Sequence, residues 1–338
     1  MRGSAQPFGA LQGHGDARKV KMMNFTVLPP PNYQWSHMWG VAYNHARNVQ
    51  WLKTSKAHGF NVVRIFTFNL PDDDAVRGFA LKLNEWPPLP LFRQRLQEFA
   101  RACREIDIKL VVTCCGNGTE LAGADGSRVD ANIPPIMLYL DAWQELAPDL
   151  ILYFDLLNEL NVFSDNWRQP TTWSSDPSRL RADLDRFVKA ARQRSDLPMT
   201  ISAACFEEAD LVSRAWTDIQ YDLSLDFHDL HFYFYILAAN RLPTHELFAQ
   251  FEARPKFLGR YVIGEFGSRG VDDDAATRRI LNQFGDLGTR PLCMGTGLWS
   301  ITPQAPVNTD NDWGFCSDTA GTQVRAVKAE CTARFPSA

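Results

Sequence analysis

The strongest constraint on the fold is a regular alternation of strand-like and helix-like segments. Short runs of β-branched and aromatic residues, at 60–66, 109–115 and 150–157 for example, alternate with segments such as 92–106, whose apolar residues recur at helical spacing. The alternation repeats about eight times, and no linker-rich boundary divides the chain. Such alternation is typical of a parallel sheet covered by helices, so we predict an α/β fold in a single domain.

The spacing of the predicted strands favours a closed barrel over an open sheet. His231, Glu265 and Trp299 fall at successive strand ends and follow one another at intervals of 34 residues. One unit of a (β/α)8 barrel takes roughly 31 residues. A doubly wound sheet is the alternative, but no Gly-x-Gly-x-x-Gly motif follows an early strand. We predict a (β/α)8 TIM barrel over 18–338. Residues 1–17 are Gly-rich and polar and are predicted to be a flexible leader, whose opening Met-Arg-Gly-Ser resembles an expression-tag remnant.

Composition excludes several classes of function. A formal net charge of −4 over 338 residues argues against a nucleic-acid binder. No apolar run is long enough to span a membrane, and the N-terminal segment lacks the core of a signal peptide. The protein is therefore expected in the cytoplasm or, with a signal already removed, outside the cell. Seven cysteines without Cys-x-x-Cys spacing predict reduced, mostly buried thiols and no zinc site. No oligomeric state is indicated.

Two predicted strands each deliver a glutamate at their C-terminal end. Residues 150–157 form an apolar run with a single aspartate, followed by Asn158 and Glu159, and the strand in 261–267 carries Glu265. A buried carboxylate without a partner is costly, so glutamates in such positions are usually paired or used. Strand ends of a barrel face one common mouth, so the two glutamates are expected to meet there.

Other strand ends carry further candidates for the same mouth. They are Arg64, His231, Tyr233, Trp299 and, after the third strand, Asn117. Alternation along a strand places His231 and Tyr233 on one face. It cannot bring the adjacent residues Asn158 and Glu159 into the mouth together, so we predict a bend at that strand end.

A metal site near the sixth strand is the less favoured reading of three neighbouring polar residues. Asp226, His228 and Asp229 include metal-ligand types, but strand alternation divides them between two faces. We therefore predict packing and a solvated strand end at these positions. The predicted site contains no metal.

Taken in order, these residues resemble the signature of the clan A glycoside hydrolases, with family 5 the nearest likeness. The resemblance extends from about residue 19 to 330 and comprises Arg64 in Asn-Val-Val-Arg, Asn158-Glu159, His231-x-Tyr233, Gly264-Glu265-Phe266-Gly267 and Trp299. It implies a retaining enzyme without a cofactor that cleaves β-glycosides or β-glycans of the mannan or glucan type. Glu159 would be the acid/base and Glu265 the nucleophile. Asn158 would bind a sugar hydroxyl, and Trp299 would stack on a sugar ring.

One departure from family 5 bears on the substrate. Members commonly carry a histidine after strand three, where this chain has Thr-Cys-Cys-Gly-Asn-Gly at 113–118. Asn117 in its place, together with Phe68-Asn69 after strand two, is more similar to the mannanase branch. Loops at 67–90, 116–134 and 161–177 are expected to wall the cleft.

A two-glutamate mechanism sets expectations for the site. The carboxyl groups of a retaining glycosidase lie about 5–5.5 Å apart. Arg64 and Tyr233 would keep Glu265 ionised, and Glu159 would stay protonated in a drier site near another negative charge. Two other functions remain open. One is a non-catalytic carbohydrate-binding barrel. The other is a metal-dependent barrel hydrolase, although the His-x-His motif of such enzymes is missing.

Overall fold

The computed structural model describes eleven parts of the chain: 20–25, 39, 43–57, 59–68, 87–123, 125–162, 170–205, 210, 215–233, 245–267 and 290–299. The predicted leader at 1–17 and Asn69 lie outside these residues. Within them, no helix is both long enough and apolar enough to cross a bilayer. The five cysteines they include are all unpaired and buried, as predicted for those positions.

One parallel sheet forms the centre of the molecule. Its strands are β1 (Val20–Asn24), β2 (Val62–Phe68), β3 (Lys109–Cys115), β4 (Ile151–Leu157), β5 (Met199–Thr200), β6 (Ser202–Ala204), β7 (His228–Tyr233), β8 (Tyr261–Gly267) and β9 (Cys293–Leu298). Their order is β5-β4-β3-β2-β1-β9-β8-β7-β6. Strands β5 and β6 are separated only by Ile201, and they pair with β4 and β7 respectively. The two ends of the sheet therefore meet in one interrupted strand, and the predicted eight-position barrel is confirmed.

Helices follow most of the strands. They are α1 (His45–Ala57), α2 (Leu89–Ile106), α3 (Gly118–Ala122), α4 (Val129–Leu146), α5 (Thr171–Ser175), α6 (Pro177–Arg194), α7 (Ala215–Asp222) and α8 (His245–Glu252). Helix α2 shows why these segments cover the sheet. Phe92, Leu96, Phe99 and Cys103 recur at steps of three and four residues, and all four are buried.

Two segments predicted as loops contain short helices. Helix α3 begins after Asn117, whose side-chain oxygen accepts the Thr119 N–H at 3.1 Å. In α5, Trp173 is fully buried and donates its ring N–H to Asp183 at 2.8 Å. The prediction of loops was wrong at these positions. Asn117, one of the polar residues that suggested a loop, caps a helix, and Trp173 is anchored by an aspartate of the following helix.

The inside of the barrel is divided into an apolar and a polar layer. The apolar layer comprises Val20, Met22, Val62, Val111, Leu152, Tyr153, Phe227 and Val262. Two residues further along β2 and β4, on the same faces, stand the buried charges Arg64 and Asp155. Because strands of a parallel barrel all run the same way, this change of chemistry occurs at one level and places a polar layer below the mouth.

Candidate active site

Arg64 is the centre of the polar layer and has no exposed surface. Its Nη2 donates to Asp155 Oδ2 at 2.6 Å and to Asn158 Oδ1 at 2.7 Å. Its Nη1 forms an ion pair with Glu265 Oε1 and donates to Asn24 Oδ1 at 3.1 Å. Arg64, Asn158 and Glu265, from three separate predicted strands, thus come together. The guanidinium provides the positive charge that makes two buried carboxylates tolerable.

A left-handed turn brings both Asn158 and Glu159 into the site. Glu159 has φ of 49°, a conformation that costs a non-glycine residue about 1–2 kcal/mol. Its backbone N–H donates to Ser202 Oγ at 2.9 Å, and the Ser202 N–H donates to Asp155 Oδ1 at 3.0 Å. The side chains of Asn158 and Glu159 are 3% and 2% exposed. The predicted bend is therefore present, and Ser202 holds it.

A β-bulge at Gly264 places Glu265 opposite His231. Leu230 pairs with Ile263, but the next residue, His231, pairs with Glu265, so Gly264 is the extra residue. A Cβ at Gly264 would lie 2.1 Å from Asp229 Oδ1, so any other residue there would push the Asp229 carboxyl group aside. In a regular strand Gly264 would pair with His231. The bulge shifts the pairing by one residue and gives that position to Glu265.

The two glutamates both approach the same ring nitrogen of His231. Nδ1 of His231 lies 3.1 Å from Glu159 Oε1 and 3.4 Å from Glu265 Oε2. One ligand atom from each of the three residues fits within 4.8 Å. One oxygen of each carboxyl group therefore lies within 4.8 Å of the other, although the two residues are more than a hundred positions apart in the sequence. Carboxyl groups that leave room for a water molecule between them lie 6.5–9.5 Å apart.

The electrostatic surroundings of the two glutamates differ. Burial and the neighbouring charge of Glu265 raise the pKa of Glu159 well above its usual value. Glu265 instead forms an ion pair with Arg64, which stabilises its negative charge. Burial and the charge of Arg64 hold the pKa of His231 well below its usual value, so the imidazole is neutral. The surroundings therefore favour the protonated form of Glu159 and the charged form of Glu265.

The same three residues, Glu159, His231 and Glu265, are the one grouping among the described residues with the types and spacing of metal ligands. Arg64 already neutralises Glu265 by direct contact. A divalent cation bound to Glu265 would stand next to that guanidinium, and two like charges at such a distance in a buried site repel strongly. The charges therefore favour an organic substrate over a metal ion.

Three further predicted site residues have different positions. Trp299 follows β9, is 5% exposed and packs edge-to-face against Phe66 with ring centroids 6.3 Å apart. Asn117 caps α3, so its side-chain oxygen has a structural partner. Tyr233 lies in β7, but its side chain is outside the described part of the chain.

The prediction of a solvated strand end was wrong for His228 and Asp229, which are both fully buried. His228 Nδ1 lies 2.6 Å from Gln220 Oε1, and its Nε2 accepts the Leu258 N–H at 3.1 Å. Burial lowers the pKa of His228 to about 3, which keeps it neutral. Asp226 precedes the strand and pairs at the surface with Arg192. Packing, rather than metal binding, accounts for His228.

Sequence reasoning missed several residues of the polar layer. They are Asn24, Asp155, Ser202 and Asp229. Two of them could have been recognised from the sequence. Asp155 is the single charge in the apolar run of β4, and Asp229 stands two residues before His231 on the same strand face. Asn24 and Ser202 are ordinary strand residues whose partners are known only from the assembled barrel.

Solved structures of other proteins have folds similar to that of this chain. No protein-family model and no curated protein sequence matches the chain. Among solved structures, the endo-1,4-β-mannanase of Rhizomucor miehei matches with a TM-score of 0.60 and 13% identity over 94% of each chain. The GH5_18 protein of Streptomyces cattleya, in complex with GlcNAc, matches with a TM-score of 0.63 and 14% identity over 94% of this chain and 82% of that one.

A member of another glycoside hydrolase family is similar as well. The GH2 β-galacturonidase of Eisenbergiella tayi, bound to galacturonate, matches with a TM-score of 0.60 and 12% identity over 93% of this chain and 51% of that one. At such identities the similarity establishes the fold. The predicted likeness to the barrels of glycoside hydrolases is confirmed at this level.

Proposed function

We propose that this protein is a retaining glycoside hydrolase that cleaves β-linked glycosides or β-glycans through Glu159 and Glu265. The observation that carries the proposal is the meeting of these two carboxyl groups within 4.8 Å at the mouth end of a barrel, in opposite electrostatic surroundings. A carboxyl separation this short matches the double-displacement mechanism, in which no water fits between the two groups.

Each residue has a distinct role in the proposed reaction. Glu265, charged and held by Arg64, attacks the anomeric carbon and forms a glycosyl-enzyme, while the protonated Glu159 gives its proton to the departing oxygen. Glu159 then takes a proton from water, which attacks the same carbon and releases Glu265. Both carboxyl groups are at most 2% exposed, so the reaction is sheltered from bulk water, and a sugar reaches them only when covering atoms move aside.

Two groups next to the pair are suited to holding a sugar. The Asn158 oxygen accepts from Arg64, which orients its amide N–H groups for donation to a sugar hydroxyl. Trp299, at the end of β9 and 5% exposed, has an apolar ring on which the C–H face of a sugar can stack once the atoms that cover it move aside. A β-mannan is the first substrate to test, because the similar structures include a mannanase and an exo-β-1,4-mannosidase. A β-glucan is the second.

The test is a substrate panel with two readouts. Purified protein is incubated with mannan, glucan and xylan and with p-nitrophenyl β-glycosides, with and without EDTA, and the anomer released first is identified by proton NMR. Release of the β-anomer, unaffected by EDTA, is the expected result. Sugar binding without turnover across the panel favours the non-catalytic barrel, loss of turnover with EDTA favours the metal-dependent hydrolase, and the α-anomer excludes a retaining mechanism.

Replacing Glu159 by Gln is expected to reduce hydrolysis in a way that depends on the leaving group. A glycoside whose leaving group needs a proton should react about 10²- to 10⁴-fold more slowly. The glycosylation step of a 2,4-dinitrophenyl glycoside needs no proton and should be almost unchanged. Pre-steady-state release of the phenol measures that step. Glu252→Gln, on α8 and paired with Arg290, is the matched control and should behave as wild type. An equal loss on both substrates would contradict the acid/base role.

The raised pKa of Glu159 also predicts a pH dependence of stability. The folded protein holds this proton at pH values where the unfolded chain, with a glutamate pKa near 4.5, has lost it. The unfolded state therefore binds fewer protons, and the free energy of unfolding falls as pH rises above about 4.5 until Glu159 ionises in the folded state as well. Glu159→Gln removes this contribution. Urea unfolding across pH should show a shallower decline for the variant, and parallel curves would contradict the assignment.

A further inference from the structure

Asp229 is a buried carboxyl group in the polar layer that the proposed reaction does not use. It shares the interior face of β7 with His231, and its Oδ1 lies 3.6 Å from His231 Nε2. It has no exposed surface, and neither carboxyl oxygen forms a well-shaped hydrogen bond with a described residue. The backbone N–H of Gly264 is close enough to favour the charged form slightly, but burial outweighs it. On its other side it packs against the backbone of Gly264, where a Cβ would come within 2.1 Å. A buried carboxyl group in such a place needs an explanation.

The position of the His231 ring determines which nitrogen carries the hydrogen. Nδ1 lies between Glu159 Oε1 and Glu265 Oε2, at 3.1 and 3.4 Å. Because Glu265 is paired with Arg64 and carries negative charge, a lone pair on Nδ1 would be repelled there, whereas an N–H is attracted to both oxygens. The neutral imidazole has only one N–H. Nε2 therefore presents a lone pair to Asp229, and an ionised carboxylate facing that lone pair would also be repelled.

The balance of charge in the layer leads to the same arrangement. Four carboxyl groups, those of Asp155, Glu159, Asp229 and Glu265, are buried around Arg64, the one buried cation in the described part of the chain. Asp155 receives hydrogen bonds from Arg64, Thr113 and Ser202, as a charged carboxylate requires. Asp229 receives none of these. Burial and the charges of Asp155 and Glu265 raise its pKa well above the usual value.

We propose that Asp229 is a neutral carboxylic acid whose O–H donates a hydrogen bond to Nε2 of His231 and thereby holds the Nδ1–H toward Glu159 and Glu265. The separation of 3.6 Å is longer than a formed hydrogen bond, as is common in an unliganded site. Asp229 is a positioning residue in this arrangement, because it acts through His231. Among the described residues, the titratable or charged groups that face this pair from other elements are Arg64, Tyr153, Asp155, Glu159, Cys205 and Glu265.

The effect on catalysis rests on the proposed function. When Glu159 gives up its proton, its carboxylate becomes charged, and the Nδ1–H at 3.1 Å stabilises that charge. If Nδ1 lost its hydrogen to the other tautomer, a lone pair would face the new carboxylate. Asp229 therefore assists the half of the reaction in which Glu159 is ionised, by excluding the tautomer that opposes it.

The tautomer is tested by NMR, which needs no substrate. Nitrogen-15 spectra of histidine-labelled protein distinguish a protonated from an unprotonated ring nitrogen, and His231→Gln identifies the resonances of His231 among the seven histidines. Wild type should show Nδ1 protonated and Nε2 unprotonated. Asp229→Asn supplies an N–H donor in place of the acid O–H and should give the same spectrum. Asp229→Ala removes the donor and should give a mixture of tautomers. A protonated Nε2 in wild type overturns the proposal.

Kinetics provide a second measurement once a substrate is identified. Asp229→Asn should retain kcat/KM within about threefold, whereas Asp229→Ala should lower it about 10- to 100-fold, as losses of orienting partners do. The alanine variant should also move the basic limb of the pH profile upward, because ionised Glu159 loses a donor. If Asp229 were ionised, the asparagine variant would instead lose activity and its basic limb would move downward, which overturns the proposal.

The two measurements separate the failure of this proposal from that of the proposed function. With no turnover of any glycoside, the NMR spectra still decide the state of the Asp229 and His231 pair. With turnover present, a wrong tautomer rejects the role of Asp229 alone. Circular dichroism and urea unfolding of both variants establish that they fold. If Asp229→Ala fails to fold, the wild-type spectrum still decides, because an unprotonated Nε2 faces a carboxyl group that donates and a protonated Nε2 faces one that accepts.

Discussion

Glu265→Gln is expected to lower kcat/KM for β-glycoside hydrolysis by about 10⁴- to 10⁶-fold, as the loss of a catalytic nucleophile does in other enzymes. The amide is nearly isosteric, but it cannot form the glycosyl ester. Its carbonyl oxygen can still accept from Arg64, and Arg64 keeps Asp155, Asn158 and Asn24 as partners. The variant should therefore fold, and a stopped assay with p-nitrophenyl glycoside at high enzyme concentration measures the residual rate.

The matched control for Glu265→Gln is again Glu252→Gln. Glu252 is also a largely buried carboxylate in an ion pair with an arginine, but that pair lies on α8 away from the barrel mouth. Its replacement removes the same charge and should leave turnover unchanged. Chemical rescue adds a sharper distinction, because azide with Glu265→Ala should yield the α-glycosyl azide. Rapid turnover by pure Glu265→Gln, or a β-glycosyl azide from Glu265→Ala, would reject Glu265 as the nucleophile.

Arg64→Met is expected to lower the free energy of unfolding by about 3–5 kcal/mol at neutral pH and to abolish turnover. Methionine fills much of the same volume without charge, so Asp155 and Glu265 lose their shared cation in a site with no exposed surface. Losing the cation raises the folded-state pKa of both carboxyl groups. Their protonation therefore offsets part of the loss at low pH, and the deficit should be larger at pH 7.5 than at pH 5. Urea unfolding at the two pH values measures it.

A surface ion pair gives the control for Arg64→Met. Arg104 pairs with Asp149 at 2.6 Å, but their side chains are 42% and 54% exposed. Arg104→Met should cost at most about 1 kcal/mol at either pH, because water screens the pair. A loss for Arg64→Met no greater than this, or one that does not depend on pH, would show that the buried network is not organised by the guanidinium.

The architecture and the participants in the site were predictable from sequence because both depend on patterns local to each segment. Periodicity distinguished strands from helices, and the C-terminal ends of all parallel strands in a barrel lie at the same mouth. Arg64, Asn158, Glu159, His231 and Glu265 could therefore be assigned to one mouth before any contact was known. The predicted meeting of the two glutamates and the predicted bend after β4 are both present.

Prediction failed where neighbours in space, rather than in sequence, determine the outcome. The polar character of 116–134 and 161–177 indicated loops, but Asn117 caps a helix, and Trp173 in another helix is buried with its ring N–H donated to Asp183. Asp229 was expected in packing or at a solvated strand end because strand alternation separates it from His228, yet it is fully buried inside the barrel beside His231. A charge inside a protein is stable only with its surroundings, and those come from other strands.

By itself, the sequence determined a barrel of parallel strands and the chemical groups that reach its mouth, since backbone geometry repeats along the chain and can be recognised from spacing. Tertiary structure alone decided the bulge at Gly264, the burial of Asp229 and the contacts of Asn24 and Ser202 in the polar layer. These features depend on pairing between strands and on the sum of buried charges around Arg64. Strand pairing and the cluster of buried charges both form only when segments distant in the chain come together.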